Sequence, residues 1–236
     1  MHAIRARAVA GLRTSSRQDS MLVNTSVSGF VNYGHAKFKH PFLPSAPLWL
    51  SRTCETTNWL MTHEHRLMHV MNESLRCERA GLHESAERAS RPIVVDVGTN
   101  CGVYTVAAAT CGYEVFAFEV QPKCIRMMQA TLAANRVPDD AVHILHQPVS
   151  DRVSQFILPA VRAHSCAGTY SFAKDEGHGA RSGALALQTA VLADALPPAR
   201  EIALLKVDTE GHDPCALRFH RPFATTLVLQ FPRTAL

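Results

Sequence analysis

The chain predicts a doubly wound α/β fold with a mostly parallel sheet, on three observations. From Pro92 onward, short apolar runs rich in β-branched and aromatic residues alternate with helical stretches. The spacing between runs suits strand–helix–strand units, the connection that parallel pairing requires. The first run, Ile93-Val94-Val95-Asp96-Val97, ends in an acid and breaks into the loop Gly98-Thr99-Asn100-Cys101-Gly102. Glycine lacks the Cβ that obstructs close backbone approach, so such a turn suits a nucleotide-like ligand.

Each element follows from its own pattern. Residues 1–53 show no sustained periodicity and carry Gly, Pro and Ser, which predicts an irregular leader. Residues 54–90 predict a helical extension and connector. Leu60, Leu67, Met68, Met71 and Leu75 recur at near-helical spacing across Glu55–Arg79, with Gly81 as a stop. Residues 91–236 predict the main domain. Its first strand is Ile93–Val97, and Val103–Thr110 begins a helix of small apolar residues that can pack closely on a sheet. Glu114–Phe118 is the second strand, and Lys123–Ala134 the second helix, with Pro122 at its entry. Val142–His146, Ile202–Val207 and Thr226–Phe231 follow as strands. Asp151–Leu192 reads as irregular, with short antiparallel pieces near Tyr170–Phe172 and Ala186–Val191.

Composition narrows the class. The chain has 236 residues, 47% hydrophobic and 19% charged, enough for one α/β domain with a modest extension. No apolar run approaches the roughly 20 residues that span a bilayer, so no transmembrane segment is expected. The net charge of +4 is concentrated at one end: residues 1–40 hold six basic residues against Asp19 alone, leaving residues 41–236 at −1. The main domain thus lacks an electrostatic footprint for phosphates, and no nucleic-acid partner is expected. The basic, acid-poor leader has the composition of an organelle transit peptide and equally of a disordered tail. The seven cysteines form no C-x-x-C pair, which predicts reduced thiols and an intracellular protein, cytoplasmic or organellar. On that expectation the sequons at Asn24 and Asn72 are chance matches, and Cys101 is small loop filler, with a nucleophile as the sharper alternative. His65 and His69 sit four apart but outside any H-E-x-x-H pattern, so no metal is assigned.

Chemistry gathers past the strand ends, where doubly wound sheets bind ligands. The glycines follow D-x-G-x-x-x-G; a dinucleotide site wants G-x-G-x-x-G, so a nicotinamide dehydrogenase is disfavoured. Asp96, Gly98, Asn100 and Gly102 are candidate cofactor residues, with the following helix N-terminus favouring a carboxylate. Glu119 lies 21 residues beyond Gly98, where an acid accepts ribose hydroxyls. Ser150 and Asp151 lie where an adenine edge would be bonded, and they equally suit an ordinary capped turn. Lys206, Asp208 and Glu210 alternate onto one face past the fourth strand, followed by His212. Three ionisable groups facing together after an apolar strand are costly unless they bind or catalyse.

Together VVDVGTNCGVYT (Val94–Thr105), FEVQP (Phe118–Pro122), PVSD (Pro148–Asp151) and LLKVDTEGHD (Leu204–Asp213) resemble the FkbM-type S-adenosylmethionine-dependent methyltransferases. The last run is the most discriminating, and Leu192–Leu196 resembles the family's L-D-D-L-like segment. The resemblance implies a Rossmann-like class I methyltransferase fold, S-adenosylmethionine as cofactor, and methyl transfer to a hydroxyl on a sugar or small metabolite. It points to Asp208 or Glu210 as the base, with His212 a weaker candidate. Val120 and Cys101 depart from the commoner proline and aliphatic residue. A full class I sheet has seven strands, so a C-terminus truncated after about the fifth is expected. That motivates an alternative: a non-catalytic S-adenosylmethionine-binding module with an incomplete acceptor site. Acceptor identity and oligomeric state are not readable.

Overall fold

The structure is a computed structural model, describing residues 35–38, 48–54, 57, 65–75, 92–160, 166, 183–209, 216 and 227–229. β1 (His35–Phe38) and β2 (Leu48–Ser51) pair antiparallel inside the segment expected to be irregular. Leu48 and Leu50 are buried while Trp49 between them is exposed, the alternation of a strand with one covered face. Two such short runs are too brief to stand out as periodicity. Their partner is distant in sequence: the Trp49 N–H donates to Asn135 Oδ1 at 2.8 Å, and Asn135 Nδ2 donates back to the Trp49 carbonyl at 2.7 Å. The described part of the predicted extension is α1 (His65–Leu75), which buries Met71 and Leu75 one turn apart.

The central sheet follows. β3 (Ile93–Val97), β4 (Glu114–Phe118), β5 (Val142–Leu145), β8 (Ile202–Val207) and β9 (Leu227–Leu229) pair in the order β5-β4-β3-β8-β9, all parallel. All five side chains of β3 are buried, as parallel strands covered on both faces require. Val94, Val115, Ile144 and Leu204 share one core with α2 (Val103–Thr110) and α3 (Pro122–Ala134). Ile93, Val95, Val97, Phe116, Phe118, Leu205 and Val207 form the other core with Leu192. Each fully buried large side chain such as Phe118 contributes about 2 kcal/mol. The small buried residues Ala107, Ala108 and Ala109 let α2 lie close to the sheet, and Pro122 opens α3 where its missing N–H costs nothing.

Between β5 and β8, β6 (Gln155–Leu158) and β7 (Leu185–Gln188) form an antiparallel ribbon, followed by the short α4 (Leu192–Ala195). β7 overlaps the piece expected at Ala186–Val191, whereas β6 falls in a span expected to be irregular. Tyr170–Phe172 lies outside the described residues.

The cysteine expectation is corrected outright. Cys54 is disulfide-bonded to Cys101, Cys124 to Cys166, and Cys111 is also disulfide-bonded. Sequence separations of 47 and 42 set the partners far apart along the chain, so no local spacing announces the pairs. Reduced thiols therefore give no ground for an intracellular protein, since crosslinks of this kind persist in oxidising surroundings. Among the described residues, no helix is long and apolar enough to cross a membrane.

Candidate functional site

The strand order places β3 and β8 side by side while the chain departs from them in opposite directions, so their carboxyl ends form the topological switch point. The register pairs Asp96 on β3 with Lys206 on β8. Period-two alternation turns both toward the α2 face, where they meet: Lys206 Nζ is 3.1 Å from Asp96 Oδ1. The ammonium also donates to the Gly98 carbonyl at 2.7 Å, stands 3.9 Å from Asp208 Oδ2, and lies 5.3 Å from the Tyr104 ring centroid. Asp96 Oδ2 accepts from Thr105 Oγ1 on α2 at 2.7 Å. Lys206 is 2% exposed and Asp96 1%. Burial pulls the Lys206 pKa down, but the Asp96 and Asp208 carboxylates, with help from Glu119, outweigh it and hold the ammonium above the ordinary lysine value.

Gly98 and Gly102 have structural reasons beyond ligand approach. Both lie at positive φ, 74° and 82°. A Cβ on Gly98 would overlap the Asp208 carbonyl oxygen, and one on Gly102 the Met128 side chain of α3. The β3 loop thus lies in backbone contact with the loop after β8, and the Asp208 N–H donates to the Val97 carbonyl at 3.0 Å. Asn100 also adopts a left-handed conformation, φ 54°, tolerable because its Oδ1 accepts from the next N–H, that of Cys101, at 2.7 Å. Gly102 caps α2 without a side-chain hydrogen bond, leaving the first N–H groups of the helix without a side-chain cap.

Glu119, past β4, faces this loop. It is 4% exposed, and its carboxylate accepts three backbone N–H groups: Asn100 on Oε2 at 2.7 Å, Val120 and Gln121 on Oε1 at 2.8 Å each. Burial raises its pKa from 4.5 to about 7, against the three N–H bonds and the charge of Lys206, which pull it down. Just past β5, His146 Nε2 donates to the Val120 carbonyl at 3.0 Å and steadies the same turn.

The predicted residues therefore divide. Asp96, Gly98, Asn100, Gly102, Glu119 and Asp208 are drawn together at the switch point. Ser150 and Asp151 engage elsewhere: the Ser150 N–H donates to the Ala190 carbonyl at 2.9 Å, and its Oγ donates to Asp151 Oδ1 at 3.3 Å. Glu210 and His212 lie outside the described residues. Lys206 is the central residue, which the sequence offered only as one of three ionisable groups alternating past the fourth strand, with no role assigned to it. Its place in the alternating run after β8 was the available signal, but the strand register that sets it against Asp96 is non-local.

No family model matches the chain, and no curated protein matches it. Among solved structures, one match is a crystal structure of an S-adenosylmethionine-dependent methyltransferase from Agrobacterium tumefaciens. It has 14% identity and a TM-score of 0.29, covering 48% of this chain and 32% of that one. This chain thus matches about a third of that protein's length.

Proposed function

We propose that the chain is an S-adenosylmethionine-dependent methyltransferase of the FkbM type, directed at a hydroxyl oxygen of a sugar or small metabolite. What carries the proposal is the pair of facing groups at the switch point: an α2 N-terminus with no side-chain cap beyond Gly102, and the buried Glu119 carboxylate across from it. The first fits the carboxylate of the cofactor's methionine part and the second its ribose. A carboxylate offers about four acceptor positions, and backbone donors take three, so Glu119 has one left on Oε2 for a hydroxyl without rearrangement. Ser150 and Asp151 stay in the proposal as the adenine side, on their place past the third predicted strand and on the resemblance.

The bound cofactor would supply an electrophilic methyl group on a sulfonium. The chain's own residues bind, orient and move the proton. Lys206 holds the Gly98 carbonyl and neutralises Asp96, fixing the loop on which the cofactor rests. Asp208, half-buried beside that ammonium, is the proposed acceptor of the hydroxyl proton. Glu210 and His212 follow it in sequence and complete the proposed catalytic set. Holding oxygen, methyl and sulfur in line is the larger part of the rate gain.

Calorimetric titration with S-adenosylmethionine, followed by transfer of labelled methyl across a panel of hydroxyl compounds, tests the reading. Saturable binding with label transfer is expected. Binding without transfer to any acceptor would point to the non-catalytic module instead, and binding of NADH in place of S-adenosylmethionine would sink the cofactor assignment. Glu119→Ala should weaken cofactor binding by about 1–3 kcal/mol. Because the ionised carboxylate is the better acceptor, wild-type affinity should rise as pH passes upward through about 7, and the variant's should not.

A further inference from the structure

Two of the disulfides, Cys54–Cys101 and Cys124–Cys166, converge on one atom of the glycine loop. Asn100 Oδ1 lies 3.3 Å from Cys166 Sγ and 3.6 Å from Cys54 Sγ. Cys54 is bonded to Cys101, inside the loop itself. Cys166 is bonded to Cys124, in the first turn of α3 and five residues past Glu119. One crosslink therefore tethers the loop and the other tethers α3, the helix that follows the turn bearing Glu119, the partner of Asn100. The loop turns through three residues at positive φ, Gly98, Asn100 and Gly102, and the Asn100 Oδ1 beside both sulfurs also accepts the Cys101 N–H at 2.7 Å. Access is unequal. Cys54, Cys101 and Cys124 are 1%, 2% and 0% exposed, whereas Cys166 is only half-buried.

We infer that the two disulfides form a redox lock on the loop Gly98–Gly102, opened by a dithiol that enters at Cys166. The lock bears on cofactor affinity only insofar as this loop holds S-adenosylmethionine, as proposed above. The chemistry is thiol–disulfide exchange. A thiolate of the dithiol attacks Cys166 Sγ, and the Cys124 thiolate leaves and takes a proton. The second thiol of the reductant closes on the first, releasing the Cys166 thiolate and the oxidised reductant. That thiolate, beside the same Asn100 oxygen as Cys54, attacks Cys54 Sγ, and Cys101 leaves as a thiolate that is protonated. The net change is one two-electron reduction: the products are a Cys54–Cys166 disulfide and free thiols at Cys101 and Cys124. The loop has then lost its tether.

The test treats the full chain with one equivalent of dithiothreitol and traps thiols with an alkylating reagent in denaturant. Peptide mapping, hydrogen exchange by mass spectrometry and calorimetric titration with S-adenosylmethionine are the readouts. Label at Cys101 and Cys124 is expected, with a Cys54–Cys166 crosslinked peptide. Amides of Asn100–Gly102 should exchange at least tenfold faster while those of β4 and β5 hold, and cofactor affinity should fall at least tenfold. The Cys54→Ser/Cys101→Ser double variant should show the fast loop exchange without reductant, with the Cys111 crosslink intact. Label confined to Cys124 and Cys166 overturns the lock. So does loop exchange unchanged after full reduction, a uniform rise across the sheet, or a zinc ion held by these thiols in the isolated protein. Faster loop exchange with no cofactor binding in either state upholds the lock and overturns the cofactor assignment.

Discussion

At the scale of single residues, Lys206 has the most at stake. A buried ammonium and carboxylate attract strongly, but removing one partner leaves the other charged and without compensation. Lys206→Met should therefore destabilise the protein by roughly 3–5 kcal/mol in urea unfolding, far more than an exposed lysine replacement. Glu119 acts in the opposite sense on stability. Its pKa is about 7 in the folded protein against 4.5 when unfolded, so the folded state holds a proton that the unfolded chain has already lost. The resulting stabilisation is complete below about pH 4.5 and is lost as pH rises through about 7, by roughly 3 kcal/mol at most. Urea unfolding at pH 5 and pH 8 should show this loss in the wild type and not in Glu119→Gln. The acids and glycines of this cluster were legible because each lies at or just past the end of its strand at a characteristic offset. Lys206 was legible only as one of an alternating set, since its partner is fixed by a register that no local pattern records.

Among the elements, legibility followed the source of stabilisation. β3, α2, β4 and β8 match their sequence patterns residue for residue, because their burial is continuous and their boundaries are marked by glycine or by acids. β1, β2 and β6 were not legible. Each is four residues long, and each is held by pairing or packing with residues far along the chain. Asn135 illustrates this, since one side chain at the end of α3 satisfies both backbone groups of Trp49. Asn135→Ala should cost about 1 kcal/mol per bond lost and raise hydrogen exchange at the Trp49 amide while leaving the central sheet unchanged. Protection at Trp49 equal to that of the wild type would show that burial of Leu48 and Leu50 alone secures the ribbon.

At the scale of the whole molecule, the described residues join a parallel five-stranded sheet to two antiparallel ribbons, and Cys54–Cys101 and Cys124–Cys166 crosslink them in addition to the disulfide at Cys111. Closing loops of 47 and 42 residues removes unfolded-state entropy worth about 4 kcal/mol each in the chain-entropy description. Full reduction should lower the thermal midpoint by more than 10 °C on the roughly 2–4 °C per kcal/mol expected for a chain of this size, as calorimetry with and without dithiothreitol would read. A change of only a degree or two would mean that native contacts already confine the ends that the sulfurs join. The cysteine pairing was illegible for the same reason as the register: it depends on which elements the topology brings together.

Gly98 ties these scales to each other. Its backbone rests on the Asp208 carbonyl, and Lys206 grips the Gly98 carbonyl while its ammonium faces Asp208. Neither loop can therefore be displaced without moving the other, and a ligand seated on one shares its free energy with whatever the other holds. Such linkage is reciprocal: if occupancy of the β3 loop changes affinity at the β8 loop by some factor, occupancy there returns the same factor. Two ligands meeting at this sheet edge would thus report on each other's presence through a single glycine with no side chain to spare.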